Sequence, residues 1–297
     1  MGAEREYRYR VVDVFTERVL EGNALAVFPD ASGLDGALMQ RIARELNLPE
    51  TTFVLSPTRA DCTARVRIFT PLKEMRFAGH PTLGTAFVLR DEGYVPVKTG
   101  DFVLEEEVGT VPVRVDASEQ PMFWLRTPPI ETGRHYDAAL CATVLGLDRS
   151  DLLDCAPQRL SAGNPTIFVP LRNRDAVDRA WIDLAGMKTL RGADAEPVCV
   201  FVFTPMADGA YSRMFAPEYG IAEDPATGSS TGPLAVYMMR HGLVASIDGT
   251  RFVSEQGVKM GRRSSLYVQV HGDNGAIGIE VGGHVTPVAS ATMRLTL

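Results

Sequence analysis

The chain has 297 residues, 45% hydrophobic and 23% charged, which is enough for one large domain or two of ordinary size with a substantial core. Its formal charge of −7, from 30 Lys and Arg against 37 Asp and Glu, is poorly suited to gripping nucleic acid through phosphates. No apolar stretch reaches the roughly 18 residues that a membrane helix requires. The N-terminus carries no apolar run of a secretory signal, and Glu6 stands where a myristoylation pattern requires Ser or Thr.

In chain order, RYRVVDVF and NALAVF read as strands, rich in β-branched and aromatic residues. Residues 35–47 read as an amphipathic helix with Leu38, Ile42 and Leu46 on one face. TTFVL and ARVRIF follow as strands. The segment 81–91 reads as a helix with little polar face, hence a buried one, whose small residues let a sheet close around it. Strands are expected at 102–108 and 111–115. Beyond Pro128-Pro129, read as a linker, helices are expected near 137–146 and 175–190 and a buried helix at 230–241. Strands are expected there at 166–171, 198–204, 211–215, 252–258, 265–271 and 276–281.

The chain repeats itself at half its length. AGHPTLGTAFVLRDEG at 78–93 matches TGSSTGPLAVYMMRHG at 227–242 in Gly79/Gly228, Thr82/Thr231, Ala86/Ala235 and Gly93/Gly242. The flanks repeat too: RIFTP with RMFAP, FVLEEEV with FVSEQGV, and Gly22-Asn23 with Gly163-Asn164. Two similar domains are expected, each a mixed sheet curled round a central helix. They are read as residues 1–127 and 128–283, with the segment from about 284 to 297 completing the first.

Four cysteines, Cys62, Cys141, Cys155 and Cys199, form no CxxC pair, which suits a reducing cytoplasm better than a disulfide framework. Five scattered histidines, with no HExxH, EF-hand, GxGxxG or GxxxxGK[ST] pattern, give no sign of a metal or nucleotide cofactor.

Chemistry is expected at the two loops before the buried helices. FAGHP places Pro81 at a favourable first helical position, and EDPATGSSTG offers Ser229 and Ser230 as caps. Uncapped amides at a helix start bind anions, and Gly79 and Gly228 allow close approach of a ligand. Two such ends across an interdomain cleft would suit a small carboxylate and stabilise charge that develops when a neighbouring C–H is deprotonated. The candidate bases are His80, Asp224 and Glu50. Glu50 lies between a helix end and an apolar strand, where Pro49 and Phe53 would surround it and burial would make it a better base. Each has a plain structural alternative: a turn residue for Glu50 and Asp224, a cap or packed core residue for His80, a cap for Ser229. GSSTG also fits the hydrolase pattern GxSxG, but GIAEDPAT before it is turn-like where an apolar strand is needed.

GNALAVF, RELNLPETTFVL, RIFTPLKEMRFAGHPTLGTA and RMFAPEYGIAEDPATGSSTGPLA resemble the motifs of the phenazine-biosynthesis PhzF isomerase family. The resemblance implies an α+β fold of the diaminopimelate-epimerase type, with two pseudo-symmetric domains, each a barrel-like mixed sheet round a helix. It also implies a homodimer without a cofactor. By position, the family's catalytic glutamate falls on Glu50, its histidine on His80, and its aspartate and serine on Asp224 and Ser229, with Gly79 and Gly228 as loop backbone. Epimerases of this fold use a cysteine on each loop, where this chain has Ala78 and Thr227. The implied activity is movement of a proton within a small unsaturated cyclic carboxylate, with trans-2,3-dihydro-3-hydroxyanthranilate as the family's best-known substrate. An isomerase or epimerase of another small carboxylate and a non-catalytic carboxylate-binding protein of the same fold are the alternatives. The expected partner is the small-molecule substrate, with no nucleic acid and no membrane.

Overall fold

A computed structural model describes residues 4–192, 196–245, 248–273 and 276–296. The protein is mixed α+β, with strands predominating, and divides into two compact units: Met1–Leu125 with Gly282–Leu297, and Arg126–Val281.

In the first unit, β1 (Glu4–Val14) pairs antiparallel with both β2 (Asn23–Phe28) and the C-terminal strand Val285–Thr296. Helix α1 (Gly36–Leu46) starts where the Asp35 carboxylate accepts the Leu38 amide at 2.8 Å and stops at Asn47, whose φ of 50° is left-handed. Strand β3 (Glu50–Leu55) runs parallel to β2 and antiparallel to β4 (Ala64–Phe69). β4 also pairs antiparallel with the short β5 (Glu74–Met75). After α2 (Gly79–Asp91), β6 (Asp101–Glu106) lies parallel to β4 and forms a hairpin with β7 (Gly109–Val115), which pairs with β8 (Phe123–Arg126).

Alternation along β3 assigns its two faces. Phe53 stacks on Phe28, meets Phe69 edge-on and belongs to one cluster with Met39 and Ile42 of α1. Each such fully buried side chain contributes about 1.5–3 kcal/mol. Thr52 turns to the opposite face and shares a 2.8 Å hydrogen bond with Thr85 of α2. Glu50 has the parity of Thr52, so Phe53 does not surround it, contrary to the sequence expectation. α2 is buried nearly all round. Gly84 makes this possible, since a Cβ there would lie 2.6 Å from Leu25 Cδ2 and 2.9 Å from Val14 Cγ2.

In the second unit, β9 (Glu131–His135) leads into α3 (Ala138–Val144) and pairs with β10 (Gln158–Ser161), which is antiparallel to β11 (Thr166–Pro170). The expected helix at 175–190 is two helices, α4 (Arg174–Arg179) and α5 (Leu184–Arg191). The chain extends at Ala180, and the Asp183 carboxylate takes the Gly186 amide at 2.8 Å to begin a new N-terminus. Strand β12 (Cys199–Met206) is parallel to β11 and antiparallel to β13 (Gly209–Ala216). β13 pairs antiparallel with β14 (Ile221–Asp224). After α6 (Gly228–Arg240), β15 (Arg251–Gln256) is parallel to β13 and antiparallel to β16 (Ser264–Asp273). The last strand of the unit is β17 (Ala276–Gly283).

The series β2, β3, β4, β5, α2, β6 and β7 therefore has the same order and the same strand directions as β11, β12, β13, β14, α6, β15 and β16. The sequence repeat is a repeat of topology. Among the described residues, no helix is long and apolar enough to cross a membrane.

Candidate active site

Helices α2 and α6 start alike. Their N-cap residues are Ala78 and Thr227, and neither side chain caps the first turn. Alanine has no acceptor to offer, and the Thr227 hydroxyl donates to Asp224 Oδ2. Amides at the positive end of each helix are thus left without a side-chain cap, the arrangement that favours an anion. Two local expectations change. Pro81 is the third helical residue rather than the first, and Ser229 and Ser230 lie inside the first turn of α6 instead of capping it. Asn164 Nδ2 donates to Ser229 Oγ at 3.2 Å, and Ser230 shares a 3.0 Å hydrogen bond with Thr166.

In the first unit, Glu50, Gly79 and His80 come together. The left-handed stop at Asn47 returns the chain from α1, and Glu50 opens β3 on the face turned to α2. His80, the second residue of α2, places Nε2 3.2 Å from Glu50 Oε2, with the side chains 7% and 12% exposed. The imidazole also hydrogen-bonds the backbone of Ala24 at the start of β2. Nε2 itself makes no well-angled hydrogen bond, so the Ala24 bond belongs to Nδ1 and assigns the ring proton there. Burial lowers the His80 pKa to about 3, against a smaller opposing effect of the Ala24 bond. His80 is therefore neutral at ordinary pH, and its Nε2 lone pair lies beside the Glu50 carboxyl. A carboxyl and a neutral imidazole in this relation can hold one proton between them.

In the second unit, Asp224, Gly228 and Ser229 gather at the start of α6. Asp224 ends β14 and is buried. Gln256, the last residue of β15, ties this turn together. Its Nε2 donates to the Asp224 carbonyl at 2.7 Å and to Thr227 Oγ1 at 3.0 Å, while its Oε1 accepts the Thr227 amide at 3.1 Å. The side-chain bonds run Gln256 to Thr227 to Asp224, leaving the carboxylate fixed in orientation. Sequence reasoning missed Gln256 and Asn164 as site residues, although both stand in the repeated segments FVSEQGV and Gly163-Asn164.

None of the four cysteines lies at either helix start. Cys141 sits in α3 and Cys199 opens β12, and burial pushes both thiols up to about 12. Ala78 and Thr227 are equivalent N-caps, so neither helix start presents a thiol there. Among the described residues, no group of three or more His, Cys, Asp or Glu residues is arranged to hold a metal.

The sequence model of the phenazine biosynthesis-like proteins, PhzC-PhzF, matches residues 12–291. The chain is 37% identical to the trans-2,3-dihydro-3-hydroxyanthranilate isomerase of Pseudomonas aeruginosa over 94% of its own length and 96% of that protein's. The crystal structure of a PhzF-family phenazine biosynthesis protein from Bacillus anthracis superposes with a TM-score of 0.88 at 26% identity, covering 97% of this chain and 99% of that one. The fold extends to a hydroxyproline epimerase from Agrobacterium vitis, with a TM-score of 0.65 at 12% identity over 100% of this chain and 95% of that one.

Proposed function

The chain belongs to the phenazine biosynthesis-like protein family and is an isomerase, and from that premise we propose that Glu50 moves a proton within a small, unsaturated, cyclic carboxylate. The substrate proposed is trans-2,3-dihydro-3-hydroxyanthranilate or a close analogue, the compound for which the Pseudomonas aeruginosa relative is named. The observation that carries the reading is the Glu50–His80 pair, nearly closed to solvent beside an uncapped helix start.

The Glu50 carboxylate removes the proton from the hydroxyl-bearing ring carbon. The electron pair left behind spreads through the conjugated ring toward the carboxylate. Fixed helix-start amides stabilise the carboxylate and the developing negative charge without reorganising; Gly79 offers them beside Glu50 in the first unit, and Gly228, with the Ser229 hydroxyl, offers them in the second. Glu50 then returns the proton to another carbon of the conjugated system, and the enol that results becomes a ketone. No atom is gained or lost, and the sequence needs only proton transfers. His80 Nε2 keeps the proton within reach of Glu50 between the two transfers, and Asp224, held by Thr227, orients the substrate.

We further read the protein as a cytoplasmic homodimer. Support for the compartment comes from the free cysteines and for the dimer from the family resemblance. Gel filtration with light scattering tests the dimer. The activity is tested by incubating the protein with trans-2,3-dihydro-3-hydroxyanthranilate in deuterated water and following the ring by NMR. The reading expects conversion to the isomer. Binding without conversion would support a non-catalytic protein of the same fold.

A further inference from the structure

Glu106 ends β6 on the face turned to α2, and it is buried in a place where the mechanism makes no use of it. Its Oε1 lies 2.6 Å from Thr82 Oγ1, and Thr82 Oγ1 lies 2.8 Å from the carbonyl of Ala78, the N-cap of α2. Glu106 Oε2 is buried with no hydrogen-bond partner. A hydroxyl has one hydrogen and here faces two oxygens. If that hydrogen went to an ionised Glu106, the Thr82 oxygen would press its lone pairs on the Ala78 carbonyl. If it goes to Ala78, the hydrogen in the other contact must come from Glu106.

The repeat supplies an internal comparison. FVLEEEV aligns with FVSEQGV, so Glu106 corresponds to Gln256, and Thr82 corresponds to Thr231. Thr231 Oγ1 donates to the Thr227 carbonyl at 2.9 Å, as Thr82 does to Ala78. Gln256 braces the start of α6 from the end of its strand, and it is permanently neutral. From this geometry we infer that Glu106, as a carboxylic acid donating to Thr82, is a positioning residue that braces the Ala78–His80 turn at the start of α2 as Gln256 braces the start of α6. The inference deepens the proposed function and rests on its reading of that turn as part of the active site.

The surroundings agree with a neutral acid. On β4, the residues alternating toward α2 are Ala64, Val66 and Ile68, while Arg65 and Arg67 lie on the other face, with Arg67 bound to Glu74 of β5. On β7, the residue opposite Glu106 is Gly109. His80 on α2 is neutral, Glu105 is held by Thr58, and Glu107 pairs with Arg76. Burial raises the Glu106 pKa to about 8, against a smaller lowering by Thr82. Ionisation above that pH removes the donor and leaves a charge in an apolar place.

The test compares Glu106→Gln with Glu106→Leu. Leu removes the brace, so kcat/KM at neutral pH should fall by about 10- to 100-fold, the scale of a small misplacement of catalytic groups. Gln should rescue that loss. Wild-type activity should also decline as pH rises through about 8, and the Gln variant should lack that decline. Amide exchange of Gly79, His80 and Thr82, read without substrate, should quicken in Glu106→Leu and not in Glu106→Gln. If Glu106→Leu does not fold, the Thr82→Val and Thr82→Ser pair replaces it, with Ser retaining what Val loses. Carbon-13 NMR of the Glu106 carboxyl in the wild type should titrate near 8 rather than near the usual 4.5. An ordinary titration, unchanged exchange in the Leu variant, or a Gln variant as impaired as Leu would overturn the inference. Exchange that changes as expected with activity unaltered in every variant would leave the brace standing and overturn instead the reading of this turn as catalytic.

Discussion

Glu50 Oε2 and His80 Nε2 stand 3.2 Å apart, although the two residues come from the start of a strand and the start of a helix 30 positions later in the chain. Because His80 is neutral when buried, the pair is a carboxyl next to a lone pair and not an ion pair. That state has a consequence for stability. The folded protein holds His80 unprotonated down to about pH 3, whereas the unfolded chain takes up the proton near 6.5. The stability that His80 contributes is fully present above 6.5 and is lost as pH falls toward 3. Urea unfolding at several pH values should therefore show stability dropping with acid by up to about 1.4 kcal/mol per pH unit from this group. His80→Asn should lower stability at neutral pH but flatten the acid slope. An unchanged slope would show that His80 is not the group responsible.

Asp224→Asn should preserve the fold at the start of α6, because Gln256 holds the Asp224 main-chain carbonyl and not its side chain. What it loses is the charged acceptor for the Thr227 hydroxyl. The side chain then loses its fixed orientation, and because a misplacement of about 1 Å costs about 100-fold, catalytic efficiency should fall by about 10- to 100-fold. Steady-state kinetics with a circular-dichroism control checks this, and wild-type efficiency would remove Asp224 from the site.

Gly84→Val should destabilise the first unit by about 1–3 kcal/mol, since even a Cβ there would press on Leu25 and Val14. Denaturant melts measure the effect, and a variant as stable as wild type would mean that α2 is less tightly enclosed than described.

Thiol reagents should leave activity intact. Cys141 and Cys199 are buried thiols pushed up to about 12, and the two helix starts carry Ala78 and Thr227. Treatment of the folded enzyme with iodoacetamide followed by an assay makes the check, and rapid inactivation would point to a cysteine in the chemistry.

Much of the fold was legible because its signals are local. The strand segments alternate or run apolar, α1 is amphipathic, and α2 and α6 have little polar face and each opens on a glycine. The halves could be aligned from a handful of Gly and Thr matches because those residues have fixed tasks. Thr82 and Thr231 bond back to the N-cap carbonyls of their helices. What was not legible depends on neighbours far along the chain. β9 reads ETGRH, mostly exposed, and is a strand only because β10 pairs with it. The break between α4 and α5 depends on Asp183 preferring a cap to a helical turn. At the candidate site, residue types and motifs pick out Glu50, His80 and Asp224, but the expectation that Phe53 surrounds Glu50 does not hold. Phe53 is three positions away and strands alternate, so the two side chains must part. The contributions of Glu106 and Gln256 lie in hydrogen bonds between a strand end and a helix start, which sequence spacing does not announce.

The central claim is that one carboxylate carries the proton between two ring carbons. Its most direct test is the single-turnover rate of Glu50→Gln with trans-2,3-dihydro-3-hydroxyanthranilate, measured beside ligand affinity. General acid–base catalysis is worth about 10²- to 10⁴-fold, so turnover should fall by at least about 100-fold while the ligand still binds. A Glu50→Gln enzyme that isomerises the substrate at the wild-type rate would contradict the account.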